Sequence, residues 1–304
     1  LRLGRFTEAW PDYEWRWRTA EVAPLRRDFG PPQWTGAEPL AGRTVLLHAE
    51  QGLGDTLQFC RYVPRVAALG ARVIVEVPPR LAALVRTLPG APEVIARGAP
   101  LPAFDLHCPL LSLPRAFGTT VETLPAAPRY LRAEPARVAR WAARLAQCDG
   151  APSGAPRVGV MWRGGSGSRI RGRSIAAHAF LAALPRGPRY VSLQRELPAE
   201  DLEAIATRPD LVHFGDEQED FGDAAALCAS VDLVVSVDTS VAHLAGALGR
   251  TLWLLLPGRC DWRWFDDRED SPWYPSATLL RQRRDGDWSD VLERLTAELR
   301  ARYG

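Results

Sequence analysis

Lysine is absent from this 304-residue sequence; all 38 basic residues are Arg. Arg fills the surface roles of both cations and grips carboxylate and phosphate bidentately. We read the missing Lys as base composition rather than as function. No apolar run approaches the roughly 18 residues of a membrane span. No signal-peptide pattern stands at the start, and the chain begins on Leu1 rather than Met, which leaves what precedes it open. Strong net charge is also lacking: the balance is +2, so there is no general pull toward nucleic acid or a membrane surface. The five cysteines (Cys60, Cys108, Cys148, Cys228, Cys260) are odd in number and form no C-x-x-C pair. That pattern points to neither a zinc site nor a disulfide framework, and to reduced thiols in the cytoplasm.

What is present is an alternation. The first 30 residues stand apart: Phe6, Trp10, Tyr13 and Trp17 recur at spacings that set one aromatic stripe on a helix, with Pro11 weakening it. The stripe resembles one helix of a tetratricopeptide repeat, which cannot bury its own face alone. From residue 43, apolar strand-like runs at Thr44–His48, Arg72–Val77, Glu93–Ala96 and "FDLHCPL" alternate with helical stretches at 56–69 and 80–88. After a helical stretch at 136–147 comes "CDGAPSGAPR", a linker. The alternation then restarts with "RVGVMW", "RYVSLQ", "LVHF", "VDLVVSVD" and "TLWLLL", and a helix at 288–302 closes the chain. The pattern predicts an α/β protein with two Rossmann-like domains facing across a cleft. The expected division is a helical remnant at 1–30, an acceptor-side domain at 31–148 and a nucleotide-sugar-binding domain at 149–304.

Four stretches carry candidate chemistry. In "SVDTSVAHLAGALG", Asp238, Thr239 and Ser240 stand where a strand ends and a helix of small residues begins. Free N–H groups, a partial positive charge and hydroxyls make such an end a seat for phosphate. The alternative is that Asp238 or Thr239 only caps the helix. His243, one turn on, is either a packed core residue or a phosphate donor. In "HAEQGLGDTLQF", Gly52 and Gly54 allow a sharp turn, and Asp55 is either an N-cap or a carboxylate base. A dinucleotide fingerprint needs a third glycine where Leu57 stands, although Glu76 lies where a ribose-binding acid is expected. In "MWRGGSGSRIRGRS", Arg163, Arg169, Arg171 and Arg173 make a cationic loop that can close on an anionic leaving group. The aromatic segment "PGRCDWRWFDDREDSPWYP" offers Asp261 and Trp262 which, with Trp162 and Gln194 near strand ends, are candidates for an acceptor or nucleobase pocket. Asp266 and Asp267 are not taken as metal ligands, and no metal site is expected. His48 and His107 read as structural.

Together, "EQGLGDTLQFCRY", "DLHCPLLSLP", "RSI", "VDLVVSVDTSVAHLAGALG" and "DWRW…DSPWYP" resemble the glycosyltransferase-like domain that follows tetratricopeptide repeats in many bacterial proteins. That domain is related to the heptosyltransferases of glycosyltransferase family nine and parallels protein O-GlcNAc transferases in plan. The resemblance implies a GT-B fold and a nucleotide-diphosphate sugar as donor substrate, with no separate cofactor. It implies Asp55 as base and Asp238, Thr239 and Ser240 at the donor phosphates. Heptosyltransferases generally place a Lys after the first strand of the second domain; here an Arg of the 163–173 loop, with Arg163, Arg171 and Arg173 as candidates, must replace it. An inverting, metal-independent transfer follows, to an acceptor hydroxyl that a repeat array would present on a protein. Two other classes stay open at this stage: a transferase-shaped binding module that has lost turnover, and a dinucleotide-linked oxidoreductase.

Overall fold

A computed structural model describes residues 1–148, 154–165 and 172–304. Strands β1 (Thr44–His48), β2 (Arg72–Val77), β3 (Glu93–Ala96) and β4 (Leu106–Pro109) form a parallel sheet in the order β3-β2-β1-β4. Strands β5 (Arg157–Met161), β6 (Arg189–Ser192), β7 (Leu211–His213), β8 (Leu233–Val237), β9 (Leu252–Leu256) and β10 (Ala277–Arg281) form a second, in the order β10-β9-β8-β5-β6-β7. Its pairings too are all parallel. Central strands β1, β8 and β9 are apolar without alternation because helices cover both faces. In the first sheet the order reverses beside β1, and in the second between β5 and β8. Each reversal opens a crevice at the strands' carboxyl ends.

The sequence placed nine of these ten strands and missed β10. That edge strand follows a Trp-Tyr-Pro loop and exposes Thr278, so its pattern does not stand out from the aromatic segment before it. The first helix after β1 also starts earlier than expected. It runs Leu53–Phe59, passes through a tight turn at Cys60–Tyr62 and resumes at Val63–Ala68.

The aromatic stripe is shorter than its spacing suggested. The α-helix covers Phe6–Tyr13 with Pro11 inside it, and Glu14–Arg18 continues as a 3₁₀ turn. The tighter turn advances about 120° per residue instead of 100°, which takes Trp17 off the stripe. Phe6 and Trp10 are buried. Phe6 lies 5.9 Å from Phe265 and Trp10 5.7 Å from Trp262, ring centre to ring centre. The Trp10 indole donates to the Thr119 carbonyl at 2.7 Å. The segment thus packs on both halves of the chain, and one continuous apolar core includes side chains from both sheets. A second core fills the far face of the larger sheet.

Candidate functional site

Two strand-to-helix turns meet here. The first lies between β1 and the helix Leu53–Phe59. Gly52 is the N-cap and Asp55 the third helical residue, so Asp55 is not the N-cap that the sequence allowed. Its Oδ2 reaches back to accept the Gly52 N–H at 2.8 Å, which satisfies one of the donors a helix start leaves free. Its Oδ1 pairs with the Arg263 guanidinium. Gly54 is there for contact: a Cβ on it would stand 2.7 Å from His243 Cδ2.

The second turn lies between β8 and the helix Ser240–Ala247. Thr239 is its N-cap, and its Oγ1 accepts the Val241 N–H at 3.2 Å. Asp238 is buried, and its Oδ2 has no hydrogen-bond partner. Burial first, then the nearby charge of Asp261, pushes its carboxyl up to about 7. His243 is buried as well. Its Nδ1 lies 2.8 Å from the Tyr274 hydroxyl, its ring stacks on Trp264, and its Nε2 is 3.9 Å from Asp238 Oδ1. Burial, followed by the charges of Arg263, Arg61 and Arg173, holds it well below the ordinary histidine value, so the ring is neutral at pH 7. Packing explains the small residues of this helix: a Cβ on Gly246 would stand 2.3 Å from the Tyr274 ring, and the helix lies directly against Leu53–Phe59.

Among the arginines named from the loop, Arg173 reaches this turn. Its Nη1 donates to the Asp238 carbonyl at 2.8 Å. Gly164 makes room, since a Cβ there would fall 2.1 Å from Arg173 Nε. Arg163 points elsewhere: Nε and Nη2 grip Asp201 at 2.9 and 2.7 Å, and Glu200 takes a further bond at 2.9 Å. Arg169 and Arg171 lie outside the described residues. A cleft of about 210 Å³ opens beside Ser240, lined by Leu53 and Arg80 from the first half and by Arg163, Gly164 and Gln194 from the second.

The proposed pocket residues divide. Gln194 lines the cleft, and its Oε1 accepts the Trp162 and Arg163 N–H groups at 3.0 and 3.1 Å. Trp162 does not line it. The indole is fully buried in the second core and donates to Asp201 at 2.8 Å. Asp261 caps the 3₁₀ turn Trp262–Trp264 and holds Arg263 at 2.8 Å. Trp262 packs edge-on against Phe6, Trp10 and Trp273. Glu76, weighed as a ribose ligand, is buried and paired with Arg27, and Leu57, where a dinucleotide fingerprint needs glycine, is fully buried.

Sequence reasoning missed Arg263. It is buried and bonded to Asp55, Asp261 and Gln58, linking the aromatic loop of the second half to the first turn. The only signal was its setting, an Arg between two Trp residues and after an Asp. Among the described residues no cluster of His, Cys, Asp or Glu has the arrangement of a metal site, and no helix is long and apolar enough to cross a membrane.

No family model matches the chain. Protein FlbA of Caulobacter vibrioides is 30% identical over an alignment covering 99% of this chain and 53% of that protein, so the chain spans about half the length of that relative. The crystal structure of a glycosyl transferase family 9 protein from Veillonella parvula superposes with a TM-score of 0.62, over 81% of this chain and 88% of that one, at 11% identity. ADP-heptose LPS heptosyltransferase II of E. coli gives a TM-score of 0.58, over 86% of this chain and all of that one, at 16% identity. At these identities the likeness is one of fold: this chain shares with both transferases an α/β architecture built on parallel sheets.

Proposed function

We propose that the chain is a glycosyltransferase of GT-B plan, moving a sugar from a nucleotide-diphosphate donor to an acceptor hydroxyl. One observation carries the reading. The carboxylate turn Gly52–Asp55 and the phosphate-type turn Asp238–Ser240 come from different sheets and meet where Gly54 touches His243. In the proposed reaction the acceptor oxygen bonds to the anomeric carbon while the bond from that carbon to the diphosphate breaks. Asp55 takes the acceptor proton; each of its oxygens keeps a second lone pair beyond the contacts described. Arg263 holds this carboxylate in place. The Ser240 end of the helix, the Ser240 hydroxyl and Arg173 take the charge that develops on the leaving diphosphate. With the base opposite the leaving group, the configuration inverts. We propose that these groups meet the leaving charge without a metal ion. A protein acceptor is proposed on the resemblance to repeat-linked domains.

A second reading, a transferase-shaped module that binds without turnover, has one observation in its favour: Asp55 is already engaged by Arg263 and Gly52. Calorimetric titration with ADP, GDP and UDP, followed by a sugar-release assay on the sugar donor of whichever binds, separates the two. Binding with slow release of sugar supports transfer. Binding without release, even with acceptor present, supports the module. If no nucleoside diphosphate binds, both readings fail. Saturation at 100 times the dissociation constant adds roughly 2.7 kcal/mol of apparent stability, so melting curves give an independent check.

A further inference from the structure

Behind their facing side chains, the two turns are joined by a buried polar chain. It starts on the helix of the first turn, where the Leu57 carbonyl accepts the Tyr130 hydroxyl at 2.8 Å. Tyr130 Oη in turn accepts Arg61 Nη2 at 3.0 Å, and it also bonds the Tyr274 hydroxyl. Tyr274 Oη lies 2.8 Å from His243 Nδ1, and His243 Nε2 lies 3.9 Å from Asp238 Oδ1. Arg61, Tyr130, Tyr274, His243 and Asp238 are all buried. We propose that Tyr130 and Tyr274 are positioning residues that set the tautomer of His243 and so favour a proton on Asp238 at the donor turn. The name donor turn rests on the transfer reading above; the chain itself does not.

The tautomer follows from where each proton goes. A carbonyl only accepts, so the single Tyr130 proton is committed to Leu57. Tyr130 can then meet Tyr274 only as an acceptor, which commits the single Tyr274 proton to Tyr130. Tyr274 therefore accepts from His243, and the hydrogen it accepts is on Nδ1. Burial, then Arg263, Arg61 and Arg173, hold His243 well below its ordinary value, so the ring is neutral and has one N–H. Nε2 is left bare toward Asp238. The ring is also held in place: Trp264 stacks on it with ring centres 5.3 Å apart, and the Gly54 backbone closes on its Cδ2 edge. At the far end Arg61 is pinned by the Gln58 and Trp273 carbonyls at 2.8 and 2.6 Å.

The groups facing Asp238 oppose one another. Burial and Asp261 push its carboxyl up, while Trp264, Arg173 and Arg263 pull it down. A bare Nε2 adds to the first set, because a lone pair beside an ionised carboxylate repels it. An N–H at Nε2 would add to the second set, because it would favour the charged form.

The test is NMR of the whole chain labelled with ¹⁵N-histidine and ¹³C-aspartate. His243 and Asp238 are assigned by the signals lost in His243→Gln and Asp238→Asn. The wild type should show His243 with its hydrogen on Nδ1. Tyr130→Phe takes the acceptor from Tyr274 without touching His243 or Asp238. The Tyr274 proton should then turn to Nδ1, His243 should carry its hydrogen on Nε2, and Asp238 should titrate about one pH unit lower, a tenfold weaker hold on its proton. Tyr274→Phe should give the same two shifts, since Nε2 is then the position at which an N–H finds a partner. Melting curves check that each variant folds. A wild-type hydrogen on Nε2 overturns the proposal without any variant, and so does an unchanged tautomer or titration in either folded variant. Neither readout uses a ligand, so both are independent of sugar transfer. ADP affinity across pH 6–8 in the same proteins tests the donor reading separately: it should follow the Asp238 titration and fall at lower pH in Tyr130→Phe. ADP that binds without following that titration counts against a diphosphate at this turn and leaves the chain as it stands.

Discussion

The two turns that meet at the site treat their carboxylates in opposite ways. Asp55, in the first, has one partner on each oxygen: Oδ2 takes the Gly52 N–H and Oδ1 takes Arg263. Asp238, in the second, is buried with an unpartnered oxygen, and its strongest neighbour in charge is another acid, Asp261. The first arrangement holds the carboxylate in one orientation against a cation. The second favours a proton on the carboxyl near neutral pH. A base must be ionised and oriented, and a seat for a diphosphate must not repel it. The contrast therefore fits a division of labour between the halves.

The sharpest way to break that contrast is at Asp55. Asp55→Asn keeps an oxygen for the Gly52 N–H and removes the basic charge. Donor affinity should stay close to wild type and the lost pairing with Arg263 should lower stability by about 1–3 kcal/mol, while transfer falls roughly 10²–10⁴-fold. Initial rates at saturating donor are the measurement, and a variant that transfers at the wild-type rate would remove Asp55 from the chemistry.

Arg263 tests the link between the turns. Arg263→Gln leaves Asp55 and Asp261 facing each other without their cation. Removing one partner of a fully buried pair costs about 3–5 kcal/mol. Both acids here keep about a fifth of their side-chain surface exposed, so about 2–3 kcal/mol is expected, read by urea unfolding at pH 7. A loss under 0.5 kcal/mol would mean that the triad does not hold the halves together. Gly54→Ala probes the same junction sterically. The new methyl meets His243 at 2.7 Å, and overpacking of this kind costs about 1–3 kcal/mol, against a helix-propensity gain of up to about 1 kcal/mol. A net loss of about 1 kcal/mol should follow, and a gain in stability would show that the contact yields.

How far the sequence reached differs between the turns for a physical reason. Strand β8, its apolar run and the small-residue helix after it are local patterns, and local patterns are legible. So were the strands β1, β2 and β3, whose bounds match the sequence reading residue for residue. The purpose of the small residues was only half legible: Gly246 and Gly54 face Tyr274 and His243, partners that lie 28 and 189 residues away in the chain. Arg263 and Asp55 are 208 residues apart, and no periodicity connects them. The same holds for Trp162. It ends a strand-like run and could equally have faced the cleft, but Asp201, 39 residues on, draws its indole into the core.

The smallest expected effect concerns Asp238, and its sign can be worked out. Its folded value, about 7, lies above the ordinary Asp value near 4 of an unfolded chain. Folding therefore takes up a proton between those values. The stability this group allows is fully present below about pH 4 and is lost as pH rises through about 7. His243 works in the opposite direction, because a neutral buried histidine costs stability only where the unfolded chain would be protonated, below about pH 6.5. The wild type alone mixes the two, and the difference between wild type and Asp238→Asn isolates the carboxyl. Between pH 6 and 8 the wild type should lose roughly 1 kcal/mol relative to the variant. The same proton bears on the proposed phosphate seat. Above pH 7 a charged Asp238 stands beside the helix end where the diphosphate would sit, and Arg173 and Arg263 only partly offset it. Nucleoside diphosphate affinity should then fall across pH 6–8 in the wild type and stay level in Asp238→Asn. Parallel pH profiles in the two proteins would place the phosphates away from Asp238 and would leave the contrast between the turns as one of packing alone.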